Sequence, residues 1–152
     1  MLQWFLLYEK LYLLLKGYHQ LLMNPFTAEQ SPKTPHITLN PSSGVFEMQG
    51  KSIPDNSVMF YKPLFEWLES YLLQPAPVTT LNIQLDYFNT SSAKCIADLF
   101  KKLEQISIRG KGQVVINWLY KEFDEDMIEA GEDYKTIVKV PFNVTVSNKN
   151  NL

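Results

Sequence analysis

The chain has 152 residues, a formal net charge of −2, and 45% hydrophobic and 20% charged residues. These values are typical of an ordinary globular protein, so we predict one domain with a core large enough to fold alone. Thirteen lysines accompany a single arginine, Arg109, so guanidinium groups that grip phosphates and guanine edges are nearly absent, and no nucleic-acid partner is expected.

Cys95 is the one cysteine of the sequence, so no disulfide framework can form within the chain. A reducing, cytoplasmic location is therefore expected. Because Cys95 falls inside an amphipathic helical pattern, a buried thiol is favoured over a reactive one.

The first 22 residues are rich in leucine and aromatic side chains, but Glu9, Lys10, Lys16 and His19 interrupt them. The segment therefore lacks the roughly twenty apolar residues of a membrane span, and it has neither the basic start nor the cleavage site of a secretory signal. We predict an apolar helical extension over residues 1–22, packed on the domain or on a partner, and no membrane partner.

A second hypothesis is that the natural start is Met23, because the composition changes abruptly there. The intact mass of protein made from its native gene distinguishes the two hypotheses. In either case, residues 23–34 are predicted to be a polar leader, residues 35–146 the folded domain, and residues 147–152 a tail.

The domain is predicted to begin with two short strands over residues 36–40 and 45–49, in which apolar and polar residues alternate. The turn residues between them favour a tight hairpin: Pro41, Ser42, Ser43 and Gly44. A polar loop then precedes a helix over residues 59–73 with one apolar stripe. Prolines end this helix and precede an alternating strand over residues 79–87.

A second main helix follows, with apolar residues recurring at helical intervals from Ile96 to Ile106. The near-continuous apolar run at 114–119 predicts a strand covered on both faces. An acid-rich segment over 122–134 predicts a short helix with a solvated face, because the regular loop spacing of a metal site is missing. A last strand over 138–146 contains Pro141, which lacks an amide donor, so we place it at a sheet edge.

These elements predict an α/β fold: a single domain with a mixed sheet of about five strands, packed with two main helices and one short helix. The junction between the strand at 79–87 and the next helix carries the most informative residues, Asn89, Thr90, Ser91 and Ser92. Each can cap the helix. A hydroxyl at a helix start is also a favourable place for a phosphoryl group, because free amides and the positive end of the helix dipole face it.

No enzyme is predicted, and no cofactor or metal. The two histidines, His19 and His36, lack the partners of a zinc site or an activated nucleophile, and no glycine-rich dinucleotide fingerprint is present. Asp86 lies four positions before Thr90 and can in principle act as a base, which leaves a small hydrolase or transferase as a minority hypothesis.

Several separated stretches resemble the SiaC family of bacterial regulatory phosphoproteins over roughly residues 35–144. They are Thr34-Pro35, the loop from Gly50 to Asn56, Phe60-Tyr61-Lys62-Pro63-Leu64 with Trp67-Leu68, and the run from Tyr87 to Lys94. The resemblance implies a cytoplasmic partner-switch protein with a fold similar to the STAS domain of anti-sigma-factor antagonists.

The resemblance also implies a regulatory cycle. The threonine of the Asn-Thr-Ser-Ser motif, Thr90 here, is phosphorylated by a dedicated serine/threonine kinase and restored by a PP2C-type phosphatase. The unmodified form binds and activates a diguanylate cyclase, which raises cyclic di-GMP and affects biofilm control. The residues expected to contact partners are Tyr87, Phe88, Asn89, Ser91, Ser92, Lys94, Phe60 and Tyr61. The alternative is a constitutive scaffold in which Thr90 only caps the helix.

Overall fold

The computed structural model describes residues 1–148, except for the side chains of Gln20 and Leu21, so the predicted tail lies outside the described residues from position 149 onward. Its elements in chain order are α1 (Leu2–Leu22), β1 (Phe26–Ala28), β2 (His36–Leu39), β3 (Val45–Ser52), α2 (Ser57–Tyr71), β4 (Val78–Phe88), α3 (Thr90–Ile108), β5 (Gln113–Tyr120), α4 (Glu125–Ile137) and β6 (Phe142–Val146). The predicted order of elements over the domain is confirmed.

All six strands form one mixed sheet in the order β1-β2-β3-β4-β5-β6. The first three strands pair antiparallel, and the predicted hairpin joins β2 to β3. From β3 onward each strand pairs parallel with the next one, so α2, α3 and α4 are crossover connections. Parallel strands reached through crossover helices bring the carboxyl ends of β3, β4 and β5 to one edge of the sheet.

The additional strand, β1, lies inside the segment that was predicted to be a polar leader. Phe26 pairs with Leu39 of β2, and its ring packs against Trp67 at 6.5 Å between centroids. The Trp67 indole donates to the carbonyl oxygen of Asn24 at 2.8 Å. Three residues are too few to show an alternating pattern, so pairing with β2 and packing on Trp67 decide this strand.

The helices of the domain cover one face of the sheet and leave the other open. Along β5, Val114, Ile116 and Trp118 are buried, whereas Val115 and Asn117 are only half-buried. The prediction that this strand is covered on both faces is therefore wrong. Its apolar run is continuous in sequence, but the crossover helices supply only one covering layer.

The open face carries a ladder of amide side chains. Asn143 donates to Asn117 at 2.9 Å, and Asn117 donates to Asn82 at 2.9 Å. These three side chains bond across β4, β5 and β6, which satisfies polar groups on the uncovered surface.

The last strand is an edge strand with only one neighbour in the sheet, as predicted, but it begins at Phe142 rather than at residue 138. Val140 is buried in the connection before it, and the amide of Lys139 donates to the carboxylate of Glu104 at 2.6 Å. This contact ties Lys139 to α3, and the carbonyl oxygen of Pro141 accepts from the amide of Ile116 in β5 at 2.9 Å, so Pro141 leads into the strand instead of interrupting it.

The N-terminal helix α1 exposes most of its large apolar side chains, including Trp4, Leu7, Leu11 and Tyr18. No helix within residues 1–148 is long and apolar enough to cross a membrane. The predicted helical extension is present as one helix of 21 residues.

Candidate functional site

The candidate site lies where β4 ends and α3 begins. Asn89 is the N-cap residue of α3, and its side-chain oxygen accepts from the amide of Ser92 at 2.9 Å. The Asn89 amide donates to the carbonyl oxygen of Ser52 at 3.0 Å, which ties the helix start to the end of β3. Of the four candidate caps, Asn89 takes the role, because a short amide side chain in extended backbone reaches the free amides of the first turn.

Thr90 is the first residue of α3, and its side chain is exposed. Within the described part of the chain, the Thr90 hydroxyl takes no part in the hydrogen bonds that bind its neighbours. The free amides of the first turn and the positive end of the helix dipole lie at this position. The geometry therefore leaves one hydroxyl accessible at a point where negative charge is stabilised.

A network of hydroxyl groups lies directly beneath the helix start. Ser52 at the end of β3 donates to Ser92 at 2.8 Å and bonds to Tyr61 of α2 at 2.7 Å. Ser57 at the start of α2 bonds to Ser91 at 2.7 Å and lies 3.2 Å from the Ser92 oxygen. These bonds join the starts of α2 and α3 to the end of β3, so the hydroxyls of Ser91 and Ser92 are engaged while that of Thr90 is free.

Aromatic packing supports the same edge of the sheet. Phe88, the last residue of β4, contacts Trp118 and Tyr134 at centroid distances of 6.0 and 6.3 Å. The Tyr134 hydroxyl donates to the carbonyl oxygen of Ala93 at 2.9 Å, which fixes the first turn of α3 to α4. The helix start is therefore held on both sides, by hydroxyls toward α2 and by aromatic rings toward α4.

The predicted partner-contacting residues divide into exposed and buried groups. Tyr87, Ser91 and Lys94 are exposed around Thr90, and Phe88, Asn89 and Phe60 are half-buried. Tyr61 and Ser92, in contrast, are 0% exposed, so in this structure neither can touch a docked protein, and that prediction is corrected. Both side chains point into the hydroxyl network, and their role is to position the helix start.

Sequence reasoning missed several residues of this surface. Ser52 and Ser57 belong to the buried hydroxyl network. Val58 and Met59 expose apolar side chains at the start of α2, and Phe123 exposes its ring in the loop between β5 and α4. Ser52 lies in the polar loop motif before α2, which was the one available signal. The others depend on contacts between residues far apart in the chain.

The minority hypothesis of an enzyme gains no support from Asp86. Its carboxylate lies 2.5 Å from the ammonium group of Lys121, so it is already paired with a cation. Among residues 1–148, no group of three or more histidine, cysteine, aspartate or glutamate side chains is arranged to hold a metal ion.

We expect Asn89→Ala to lower the unfolding free energy by about 1 kcal/mol, because it removes the cap of α3. For a domain of this size, that corresponds to a fall in melting temperature of roughly 2–4 °C. Thr90→Ala is the matched control and should change the unfolding free energy by less than about 0.5 kcal/mol. A thermal melt of both variants measures the difference, and equal losses would show that Thr90 shares the capping role.

Burial raises the pKa of the Tyr61 hydroxyl to about 12, because the charged form is poorly solvated inside the network. Below a pH of about 10, both folded and unfolded chains keep this proton. Between about 10 and 12 only the unfolded chain ionises, so the unfolding free energy falls as pH rises, by about 2–3 kcal/mol from this group. Tyr61→Phe should lose that part of the alkaline decline, as measured by urea unfolding across this range. A decline equally steep in the variant would contradict the assignment.

The folded domain is similar to a known protein family and to solved structures. The model of the SiaC family regulatory phosphoprotein matches residues 28–147. An uncharacterized protein of Pseudomonas aeruginosa (strain UCBPP-PA14) is 31% identical over 111 residues, which are 73% of this chain and 87% of that protein.

Solved structures show the same fold. Apo-SiaC from Pseudomonas aeruginosa superimposes with a TM-score of 0.74 at 27% identity, over 82% of this chain and 100% of that chain. SiaC bound as an activator to the diguanylate cyclase SiaD, from the same organism, gives a TM-score of 0.74 at 28% identity, over 80% of this chain and 99% of that chain. These matches define a small α/β regulatory protein. The chain belongs to the SiaC family of regulatory phosphoproteins.

Proposed function

We propose that this chain is a partner-switch regulator controlled by phosphorylation of Thr90. The form unphosphorylated on Thr90 binds and activates an effector, and phosphorylation releases it. The observation that carries the proposal is the exposed Thr90 side chain at the first position of α3, in a helix whose cap is supplied by Asn89. A threonine that is not needed for capping is available for modification.

The hydroxyl network supports Thr90 as the acceptor among its neighbours. Ser92 is buried, and Ser91 bonds to both Ser57 and Asn89. A kinase must reach the hydroxyl and place a phosphoryl group beside it, and only Thr90 of these three meets both requirements without breaking a bond. The fold therefore tolerates the modification.

Release follows from local chemistry. Phosphorylation adds roughly two negative charges at a surface formed by Tyr87, Phe88 and Lys94. Burying that charge against an apolar or acidic partner face costs several kcal/mol, whereas about 1.4 kcal/mol changes affinity tenfold. Lys94 lies one helical turn from Thr90, so the phosphate also pairs with it and withdraws this cation from the partner.

A diguanylate cyclase is the effector that we propose, because the structure of SiaC with SiaD shows a related activator bound to such an enzyme. A dedicated serine/threonine kinase and a PP2C-type phosphatase would set the phosphorylation state. The chain itself would carry out no catalysis and would act by contact in the cytoplasm.

The test is a pull-down from the cells of origin with Thr90→Ala and Thr90→Asp side by side, with partners identified by mass. Recovery of a diguanylate cyclase with the alanine variant and its loss with the aspartate variant would support the proposal. Equal recovery of the cyclase by both would contradict the switch. Phosphate-affinity electrophoresis of the native protein adds an independent readout, because a constitutive scaffold gives one unshifted band.

The alternative function is a constitutive scaffold in which Thr90 acts only as a helix cap. The side chain of Asn89 caps α3, so a capping role does not explain why position 90 is a threonine.

A further inference from the structure

Phe123 combines two unfavourable features in the loop between β5 and α4. Its side chain is 87% exposed, and its backbone φ is 67°, in the left-handed region. It occupies the third position of a tight turn in which the amide of Asp124 donates to the carbonyl oxygen of Lys121 at 3.0 Å. Glycine or asparagine usually fills such a position, because a larger side chain crowds the following carbonyl.

The rest of the described chain offers no compensation for this arrangement. A left-handed backbone at a bulky residue is unfavourable, and an exposed phenyl ring gains nothing from burial. The turn is nevertheless firmly held, because Asp124 continues directly into α4 as its N-cap and accepts from the amide of Met127 at 3.2 Å. The fixed backbone of this turn therefore directs a large apolar side chain into solvent.

Phe123 lies at the same sheet edge as Thr90. The register of β4 and β5 pairs Ile83 with Trp118, and three residues further along it brings Asp86 opposite Lys121, where their ion pair of 2.5 Å forms. Phe123 follows two residues later. At about 3.3 Å per extended residue and about 4.8 Å between strands, Phe123 and Thr90 fit within one interface patch of roughly 800 Å².

We propose that Phe123 is an apolar anchor of the effector-docking surface, inserted into an apolar pocket of the partner. This inference rests on the proposed function for the identity of the partner as a diguanylate cyclase. Buried aromatic side chains near the centre of an interface commonly carry a large share of the binding energy. Because the backbone of the turn is already fixed, binding has to order only the Phe123 side chain and not the loop.

The charges around Phe123 specify the rim of the pocket. Glu122, Glu125 and Asp126 are exposed beside it, so the pocket on the partner should be bordered by lysine or arginine. Around Thr90 the exposed cations are instead Lys94 and Lys51, which lies opposite Tyr87 in the strand register, so this part suits an acidic region of the partner. The two halves of the docking surface thus differ in charge, with the Asp86–Lys121 ion pair between them, and this difference favours one orientation of the partner.

The test compares Phe123→Asn with Ile108→Asn in the full chain, both in a Thr90→Ala background. Asparagine tolerates the left-handed backbone, so Phe123→Asn should melt at the same temperature or higher. Ile108 is 64% exposed at the opposite end of α3 and controls for the loss of an exposed apolar side chain. The readout is the amount of diguanylate cyclase recovered from the cells of origin, followed by titration of that purified cyclase.

We expect Phe123→Asn to weaken cyclase binding about tenfold or more, whereas Ile108→Asn leaves it unchanged. The double substitution Glu122→Lys and Asp126→Lys should also weaken binding, and the loss of affinity should be larger at low salt than at high salt, because salt screens the charges. Equal binding by Phe123→Asn and its parent would overturn the anchor while leaving the Thr90 switch intact. Failure of every version to recover a cyclase would instead overturn the proposed function, and this inference with it.

Discussion

Phosphorylation of Thr90 is expected to lower the affinity for the effector by about tenfold or more and to leave the melting temperature nearly unchanged. The first effect follows from the cost of desolvating a dianion at a contact surface, which exceeds the 1.4 kcal/mol or so of a tenfold change. The second follows from the position of Thr90 at the start of α3, where negative charge is favourable by roughly 0.3–1 kcal/mol. Calorimetric titration with the purified effector, together with a thermal melt, measures both.

A control separates local charge from general repulsion. Ser42→Asp adds a negative charge in the exposed β2–β3 turn, which precedes β3 and so lies at the opposite edge of the sheet from the carboxyl end of β4. We expect this variant to bind the effector as the parent does, because exposed charges beyond a Debye length of about 8–10 Å are largely screened. If Ser42→Asp weakens binding as much as the modification of Thr90, the effect is one of net charge, and the switch at the helix start is refuted.

The thermal melt distinguishes a local switch from a refolding switch. The helix start is held by the Ser52–Ser92 bond on one side and by the Tyr134 contact on the other, so phosphate should alter the surface without moving the backbone. A drop of many degrees in melting temperature on phosphorylation would show that the modification disrupts this support.

Gly44→Ala is expected to destabilise the fold by about 3 kcal/mol, which lowers the melting temperature by roughly 10 °C. Gly44 has a φ of 71°, and an added Cβ would lie 2.2 Å from the carbonyl oxygen of Val78. The carbonyl oxygen of Gly44 also accepts from the amide of Thr80 at 2.8 Å, so the turn cannot move away from β4 without losing that bond. Both the backbone conformation and the close approach require glycine.

Gly110→Ala is the matched control for this prediction. Its φ of 65° is nearly the same, but an added Cβ would meet no atom within 4 Å. Only the backbone cost remains, so we expect a loss of about 1 kcal/mol in urea unfolding. Equal losses at the two glycines would show that the contact with Val78 relaxes easily and that backbone conformation alone sets the requirement.

The sequence predicts the elements of the domain well and their surroundings less well. Alternation in β4 is a local property, so this strand was predicted within one residue of both ends. In α3 the helical periodicity located only the part from Ile96 to Ile106, and the four candidate caps located its start. The apolar run of β5 was misinterpreted, because sequence shows that a strand is apolar but not how many layers cover it. The strand β1 was missed because its three residues are defined by their partner strand.

The candidate site shows the same division. Thr90 and its neighbours were identified from a motif that is contiguous in sequence. The same motif supplied the four candidate caps. That Asn89 is the cap, and that Ser91 and Ser92 are engaged, depends on Ser52 and Ser57, which lie more than thirty positions earlier. Phe123 was overlooked because its exposure and its backbone conformation are set by the turn that joins β5 to α4.

The amino-acid sequence by itself determined the order of strands and helices from β2 onward and placed a threonine at the start of α3, because periodicity and capping chemistry act between residues a few positions apart. Only the tertiary structure decided which hydroxyl stays free and which aromatic side chains surround it. The physical reason is that hydrogen bonds and packing at the sheet edge join residues of β3, α2, α3 and α4, which meet only after the parallel crossovers have formed.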